Sequence, residues 1–328
     1  MTIRQSDPGL VGPDAPPEET LARAVTAALR APSVFNTQPW QWRLHDGVAA
    51  LRADRDRQLR TVDPDGRLLV LSCGVALHHA RVAVAAAGRR PLVTRFPEPG
   101  EPNLLAVLHA DGPYEPRPAD ERACAAIWDR RTDRRPYADA GIESGLLDLL
   151  RDAAEAEGAH LHVLRDDDVP VLTVAATHAA EVETGDPSYR EELNVWTHRP
   201  GTTADGVPVD TAVRPVPRRV PVRDFAPGAA RLAAGDGTDR HARYAIVFTD
   251  NDDPRAWLAA GEATSAVLLA ATGHGLATNP VSDMVETEVA RQYLSGILRR
   301  IGHPQLVIRL GRATTAEPVP VTPRRPAR

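Results

Sequence analysis

The sequence predicts an α+β chain made of two similar halves. Three observations lead there. Helical apolar spacing and strand-like apolar runs alternate along most of the chain. The order repeats, because each half has an amphipathic helix, a strand, an apolar helix ending in glycine, and a strand ending near glycine. The two apolar helices also share a glycine spacing: GVALHHARVAVAAAG (Gly74–Gly88) and GEATSAVLLAATGHG (Gly261–Gly275) have the same length. Such a chain is pseudo-two-fold, a fused imitation of a homodimer.

The elements follow in order. Residues 1–18 are polar and proline-rich and are expected to be a flexible N-terminus. The first half, 19–120, opens with LARAVTAALRA, helical by apolar residues three and four apart, and stops at Pro32. WQWRLHDGVAALRA reads as a hairpin around His45, Asp46 and Gly47. A loop, RDRQLRTVDPDGR, precedes the apolar helix LLVLSCGVALHHARVAVAAAG, which ends at Gly88 in a C-cap position. PLVTRF and NLLAVLHADG read as strands. The second half, 121–328, carries an amphipathic helix (Gly145–Gly158), the strand AHLHVL, and an irregular insertion over about 181–223 rich in Pro, Gly and Arg. The strand YAIVFTD, the helix AAGEATSAVLLAATGHG, the strand PQLVIRLGR and the tail TPRRPAR complete it.

Composition narrows function. With 328 residues and a formal net charge of -5, no preference for nucleic acid or a membrane surface follows. The N-terminus has no apolar signal region and no window looks long enough to span a bilayer, so a soluble, cytoplasmic protein is expected. Two cysteines, Cys73 and Cys124, cannot build a disulfide framework or a four-thiolate zinc site. Cys73, inside LLVLSCGVAL, reads as a small buried hydrophobe. The chain has no lysine; all 39 basic residues are arginine. That excludes a Walker P-loop and a pyridoxal Schiff base, and leaves arginine and backbone amides to bind anions. GHGLAT follows a helix, so it is no dinucleotide fingerprint. His160 and His162 share a strand face, His78 and His79 point different ways from a helix, and no metal site is expected.

Two stretches could carry chemistry. RAPSVFNTQPWQW (Arg30–Trp42) sets Phe35, Trp40 and Trp42 around Asn36, Thr37 and Gln38, between Pro32 and Pro39. A donor–acceptor cluster beside flat apolar surface suits a planar heterocycle; it also suits a well-capped core loop. DRRTDRRPY (Asp129–Tyr137) gathers Arg130, Arg131, Arg134 and Arg135 around Thr132. Guanidinium groups so close either hold an anion, at about 1.5–3 kcal/mol per charge-assisted hydrogen bond, or form a solvated loop paired with Asp129 and Asp133.

APSVFNTQPWQW resembles the A-P-S-x-x-N-x-Q-P-W signature of the flavin-dependent nitroreductase superfamily. RRTDR resembles that superfamily's R-R-S-x-R motif, which grips the FMN phosphate. Ordinary members carry the arginine motif first; here it follows, in the other half, and each half holds one motif only. The chain is thereby similar to the tandem-duplicated, Acg-like FMN-binding branch, as YREELNVWTHRPGTTADGVPVD and TPRRPAR also suggest. The resemblance implies a duplicated nitroreductase-like fold forming an intrachain pseudo-dimer with one FMN site. It implies that Arg130, Arg131, Thr132 and Arg134 meet the phosphate and ribityl chain. Pro32, Ser33, Asn36 and Gln38 would approach the flavin from the other half. Asn279, Pro280, Val281 and Ser282 would pass near its reactive nitrogen, and Arg324 and Arg325 would reach the phosphate. The insertion, with Tyr189, Trp196 and His198, would cover the flavin as a lid, or else be a surface insertion. The implied function is NAD(P)H-dependent reduction of small electrophiles such as nitroaromatics or quinones, the chemistry being the flavin's with no catalytic side chain. The alternative is a protein that sequesters FMN with little or no turnover. A monomer or weak homodimer is expected.

Overall fold

The first half folds around a hairpin and a long apolar helix. The structure, a computed structural model, describes residues 15–326, so most of the expected flexible N-terminus lies outside the described residues. Helix α1 (Pro17–Ala28) opens with proline at its start and Glu18 and Glu19 in its first turn, where a carboxylate meets the positive end of the helix. Its apolar stripe, Leu21, Ala24, Val25 and Ala28, is buried. Strands β1 (Trp40–His45) and β2 (Val48–Ala53) turn over Asp46 and Gly47, both at positive φ, as a two-residue hairpin demands. Helix α2 (Arg67–Ala86) begins where Asp63 accepts the Leu68 and Leu69 amides at 3.0 and 2.8 Å. Strands β3 (Arg89–Arg95) and β4 (Leu104–Pro113) complete an antiparallel sheet of order β1-β2-β4-β3.

Helix α3 (Pro118–Asp129) crosses the expected boundary between the halves. The second half then repeats the plan. Helix α4 (Ser144–Glu155), strands β5 (His160–Val163) and β6 (Arg243–Thr249), helix α7 (Pro254–Gly273), and strands β7 (Ala277–Val281) and β8 (His303–Gly311) build a second antiparallel sheet, β5-β6-β8-β7. The order matches the first sheet strand for strand. The differences are insertions. The hairpin turn between β1 and β2 becomes a connection of residues 164–242 between β5 and β6, holding helices α5 (Val169–Gly185) and α6 (Pro187–Thr197). Between β7 and β8 lie the single turn α8 (Asp283–Glu286) and helix α9 (Glu288–Ile297).

The stretch expected to be irregular is therefore helical over α6 and the end of α5. Asp186 accepts the Ser188 amide at 2.8 Å and Pro187 occupies the first helical position, a start signal hidden among prolines and glycines. Helix α2 corrects a second expectation, because by length and composition alone it is apolar enough to cross a membrane. Most of it is buried inside this fold instead.

The halves meet where α2 crosses α7. A Cβ on Gly74 would clash with the Leu258 carbonyl oxygen, and one on Gly261 with the Leu71 carbonyl oxygen. The contact is reciprocal, as across a two-fold axis. The separation that carries Gly74 to Gly261 also carries Leu71 to Leu258, Val75 to Glu262, Arg81 to Leu268 and Arg95 to Ser282. On the Glu262 side these positions form a salt-bridge cluster. Glu262, fully buried, accepts from Arg95 at 2.7 and 2.8 Å and from Arg81 at 2.7 Å, and Arg81 also pairs with Glu157. On the other side the equivalents Val75, Leu268 and Ser282 line a cavity.

His78 and His79 do not diverge as expected. Both Nδ1 atoms lie 2.8 Å from the Ser265 hydroxyl, which reaches between them from α7. Cys73 is buried and donates to the Pro39 carbonyl at 3.2 Å, and burial pushes its thiol pKa up, in keeping with a packing role.

Candidate functional site

The loop after α1 is strained and tightly held. Phe35, Asn36 and Gln38 all sit at positive φ, at 47°, 53° and 50°, which costs an ordinary side chain on the order of 1 kcal/mol or more each. Four hydrogen bonds enforce the shape. The Ser72 hydroxyl accepts the Val34 amide (3.2 Å) and the Ser33 hydroxyl the Gln38 amide (2.9 Å). The Asn36 side chain donates to the Gly206 carbonyl (2.9 Å), and Gln38 Nε2 donates to the Ala204 carbonyl (2.9 Å).

The arginine stretch is fixed by the second sheet. Thr132 bridges Thr278 at the edge of β7, and the Asp133 amide donates to the Thr278 carbonyl at 2.9 Å. Arg309, buried within β8, donates to the Asp133 and Arg135 carbonyls at 3.0 and 2.8 Å, and the Tyr137 hydroxyl donates to the Asp133 carbonyl at 3.0 Å. Arg135 turns away to pair with Asp133 at 2.8 Å. That leaves Arg130, Arg131 and Arg134 facing the first loop.

Two adjoining cavities result, sharing Pro32, Ser33, Thr132 and Arg134 in their walls. The first is basic. Arg30, Arg130, Arg131, Arg134 and Arg324 line it, and none of the five has a carboxylate partner among the described residues. Arg324 arrives from the C-terminal tail, its guanidinium 3.1 Å from Asn36 Oδ1 and 3.2 Å from the Arg30 carbonyl. Burial first, then mutual repulsion, lowers Arg130 and Arg324 to about 9; burial and Arg223 lower Arg134 to about 10. Arginine does not give up its proton in a protein. Burial is the larger cause and neighbouring guanidinium charge the smaller, and a bound anion would offset both. Arg130 and Arg324 each also keep a buried Nε with no acceptor.

The second cavity is an apolar slot. Leu68, Leu71 and Val75 of α2, Leu268 of α7, Leu306 of β8 and Pro280 of β7 wall it, with Ser72, Thr264 and Ser282 as polar points. Phe225, from the β5–β6 connection, lies on its rim, edge-on to Phe35 at 5.8 Å, with the Arg134 guanidinium 4.5 Å from its ring centre. The same connection is bolted down nearby. Arg199 pairs with Asp205 (2.9 Å), Arg57 with Asp205 and both over Trp196; Arg223 is buried against Glu183 and Glu286 at 2.7 and 2.6 Å.

The residues expected at the site separate into four groups. Pro32, Ser33, Thr132 and Arg134 line both cavities; Asn36, Arg130, Arg131 and Arg324 line the basic one; Pro280 and Ser282 line the slot. Gln38, Asn279, Val281 and Arg325 line neither. Gln38 is clasped between the Ala204 carbonyl and the Arg325 amide, and Arg325 lies 3.9 Å from Asp54. Asn279 and Val281 pair with Arg309 and Val307 of β8. The Asn36 amide, expected to face a heterocycle, is spent on the Gly206 carbonyl, the Pro323 carbonyl and Arg324. Arg30, Phe225 and Thr264 were not foreseen. Arg30 directly precedes the A-P-S signature; for the other two the sequence carries no signal.

Fold and cavities together define a class: a doubled α+β protein with a cleft between its halves that pairs an arginine-lined cavity with a largely apolar one. No family model matches the chain. It is 39% identical over 322 residues to the Mycobacterium tuberculosis (strain H37Rv) protein named "Putative NAD(P)H nitroreductase Rv3131", covering 94% of this chain and 90% of that one. It is 36% identical over 311 residues to "Putative NAD(P)H nitroreductase acg" of the same strain, covering 94% of each. Among solved structures, a nitroreductase with bound FMN from Desulfitobacterium hafniense DCB-2 is 14% identical, with 62% of this chain and 94% of that one superposed at a TM-score of 0.38. The chain belongs to the nitroreductase superfamily, alongside the mycobacterial Acg protein.

Proposed function

We propose that the chain binds one FMN between its halves and uses it as an NAD(P)H-dependent oxidoreductase acting on small electrophiles such as nitroaromatics or quinones. The observation that carries this is five arginines without carboxylate partners on the wall of one cavity, continuous with a flat apolar slot. A phosphate monoester fits the first and a planar ring the second. The orphaned Nε atoms of Arg130 and Arg324 fit a ligand rich in acceptor oxygens. Bound FMN supplies the electron-transfer chemistry. The chain's part is to neutralise the phosphate with Arg130, Arg131, Arg134 and Arg324, to seat the ring against Leu71, Val75 and Leu268, and to exclude water with Phe225.

One site per chain follows from the pseudo-symmetry. Where the slot has Val75, Leu268 and Ser282, the residues at the matching positions of the other half are Glu262, Arg81 and Arg95, which pair with one another and present charge in place of an apolar wall. One specific observation favours a second reading. The β5–β6 connection lays Phe225 over the slot and is pinned by Arg57, Arg199 and Arg223, which suits FMN sequestration with little turnover.

Purified protein, or protein incubated with FMN, should show flavin absorbance. Its absence in both preparations would defeat the reading. Rapid bleaching by NADH or NADPH marks the reductase; bleaching by dithionite alone marks the sequestering protein.

A further inference from the structure

Thr264 stands out among the helical threonines. Inside helices, the hydroxyls of Thr20, Thr26, Thr173, Thr177, Thr184, Thr197 and Thr272 each donate to the carbonyl four residues back, at 2.8 to 3.2 Å. That is the usual resting place of such a hydroxyl. Thr264, in the middle of α7, makes no such bond. Its Oγ1 is buried with no hydrogen-bond partner among the described residues, and the residue is 1% exposed. It also lines the apolar slot, among Val75, Leu268 and Leu306. A buried hydroxyl left without a partner costs about 1–3 kcal/mol, so the arrangement persists at a loss unless something in the slot accepts or donates the bond. Ser72, the facing hydroxyl on α2, is already engaged, donating to the Leu68 carbonyl (2.7 Å) and accepting from the Val34 amide (3.2 Å).

We infer that the Thr264 hydroxyl hydrogen-bonds a ring heteroatom or carbonyl of the planar ligand in the slot, and so fixes which edge of the ring enters between α2 and α7. The inference rests on the FMN reading above and adds the recognition of the ring to that of the phosphate. It gives the slot a preference for a heterocycle with a polar atom at its edge over a purely hydrocarbon ring of the same size.

The test compares wild type, Thr264→Val and Thr264→Ser by fluorescence titration of the FMN-free protein with FMN, alongside thermal melts of the free protein and visible spectra of the complexes. Valine keeps the shape and removes the hydroxyl. The expected result is a loss of FMN affinity of about five-fold for Thr264→Val, with a shifted visible band, a melting temperature of the free protein equal to or above wild type, and recovery of affinity and spectrum in Thr264→Ser. FMN affinity and spectrum unchanged in Thr264→Val overturn the inference and leave the FMN reading standing. A lower melting temperature for free Thr264→Val, with unchanged affinity, likewise overturns it by assigning the residue to packing. Failure of wild type to bind FMN overturns both.

Discussion

Arg130 and Arg324 meet in the cleft from distant parts of the sequence, Arg130 buried and Arg324 half-buried, and neither has a carboxylate partner among the described residues. Two such cations in one cavity are a cost to the ligand-free fold and a gain once an anion arrives. The double variant Arg130→Ala, Arg324→Ala should therefore weaken FMN binding by roughly 2–5 kcal/mol, from lost charge-assisted bonds. The same variant, freed of FMN, loses the Arg324 bonds to Asn36 and the Arg30 carbonyl along with the repulsion between the two cations, so its melting temperature should fall far less than its FMN affinity. Equal FMN affinity in a titration, or a collapse of the free fold, would remove both arginines from the phosphate role. At this scale the sequence was partly informative. The DRRTDRRPY cluster was visible because four close guanidinium groups demand an explanation. Which of them face the cavity was not visible: Arg135 finds Asp133 within its own loop, a pairing set by backbone geometry. The partners of the Gln38 and Asn36 amides, the Ala204 and Gly206 carbonyls, were not visible either, because only a long connection folded over them supplies those groups.

Among elements, the crossing of α2 and α7 decides how the halves join. Gly261 has the Leu71 carbonyl where a side chain would stand. Helix propensity alone favours Gly261→Ala, by up to about 1 kcal/mol. Packing overrules it, and the variant should be destabilised by about 1–3 kcal/mol as α2 is pushed away. Gly296, in α9, has no atom near its missing Cβ, and its alanine variant should be neutral or stabilising. Denaturant midpoints of the two variants check this directly, and equal effects at both glycines would refute the close crossing. The shared glycine spacing of these helices was legible in the sequence because close approach leaves only glycine as a solution. Helices α5 and α6 were not legible, since prolines and glycines around them mimic a loop and the capping Asp186 is one acidic residue among many.

For the whole molecule, duplication explains the strand order repeated in the two sheets. A homodimer must keep its two clefts identical. A fused chain is free to differ between its halves, and here Glu262, Arg81 and Arg95 stand on one side where Val75, Leu268 and Ser282 stand on the other. The repeated element order was readable from the sequence; the Glu262, Arg81 and Arg95 cluster was not, because its parts are distant in the chain. The most direct measurement is calorimetric titration of the FMN-free protein with FMN and, separately, with riboflavin. The account predicts one FMN bound per chain and an affinity for riboflavin lower by roughly a hundred-fold or more, the worth of two charge-assisted bonds. Two FMN per chain, or riboflavin bound as tightly as FMN, would contradict it.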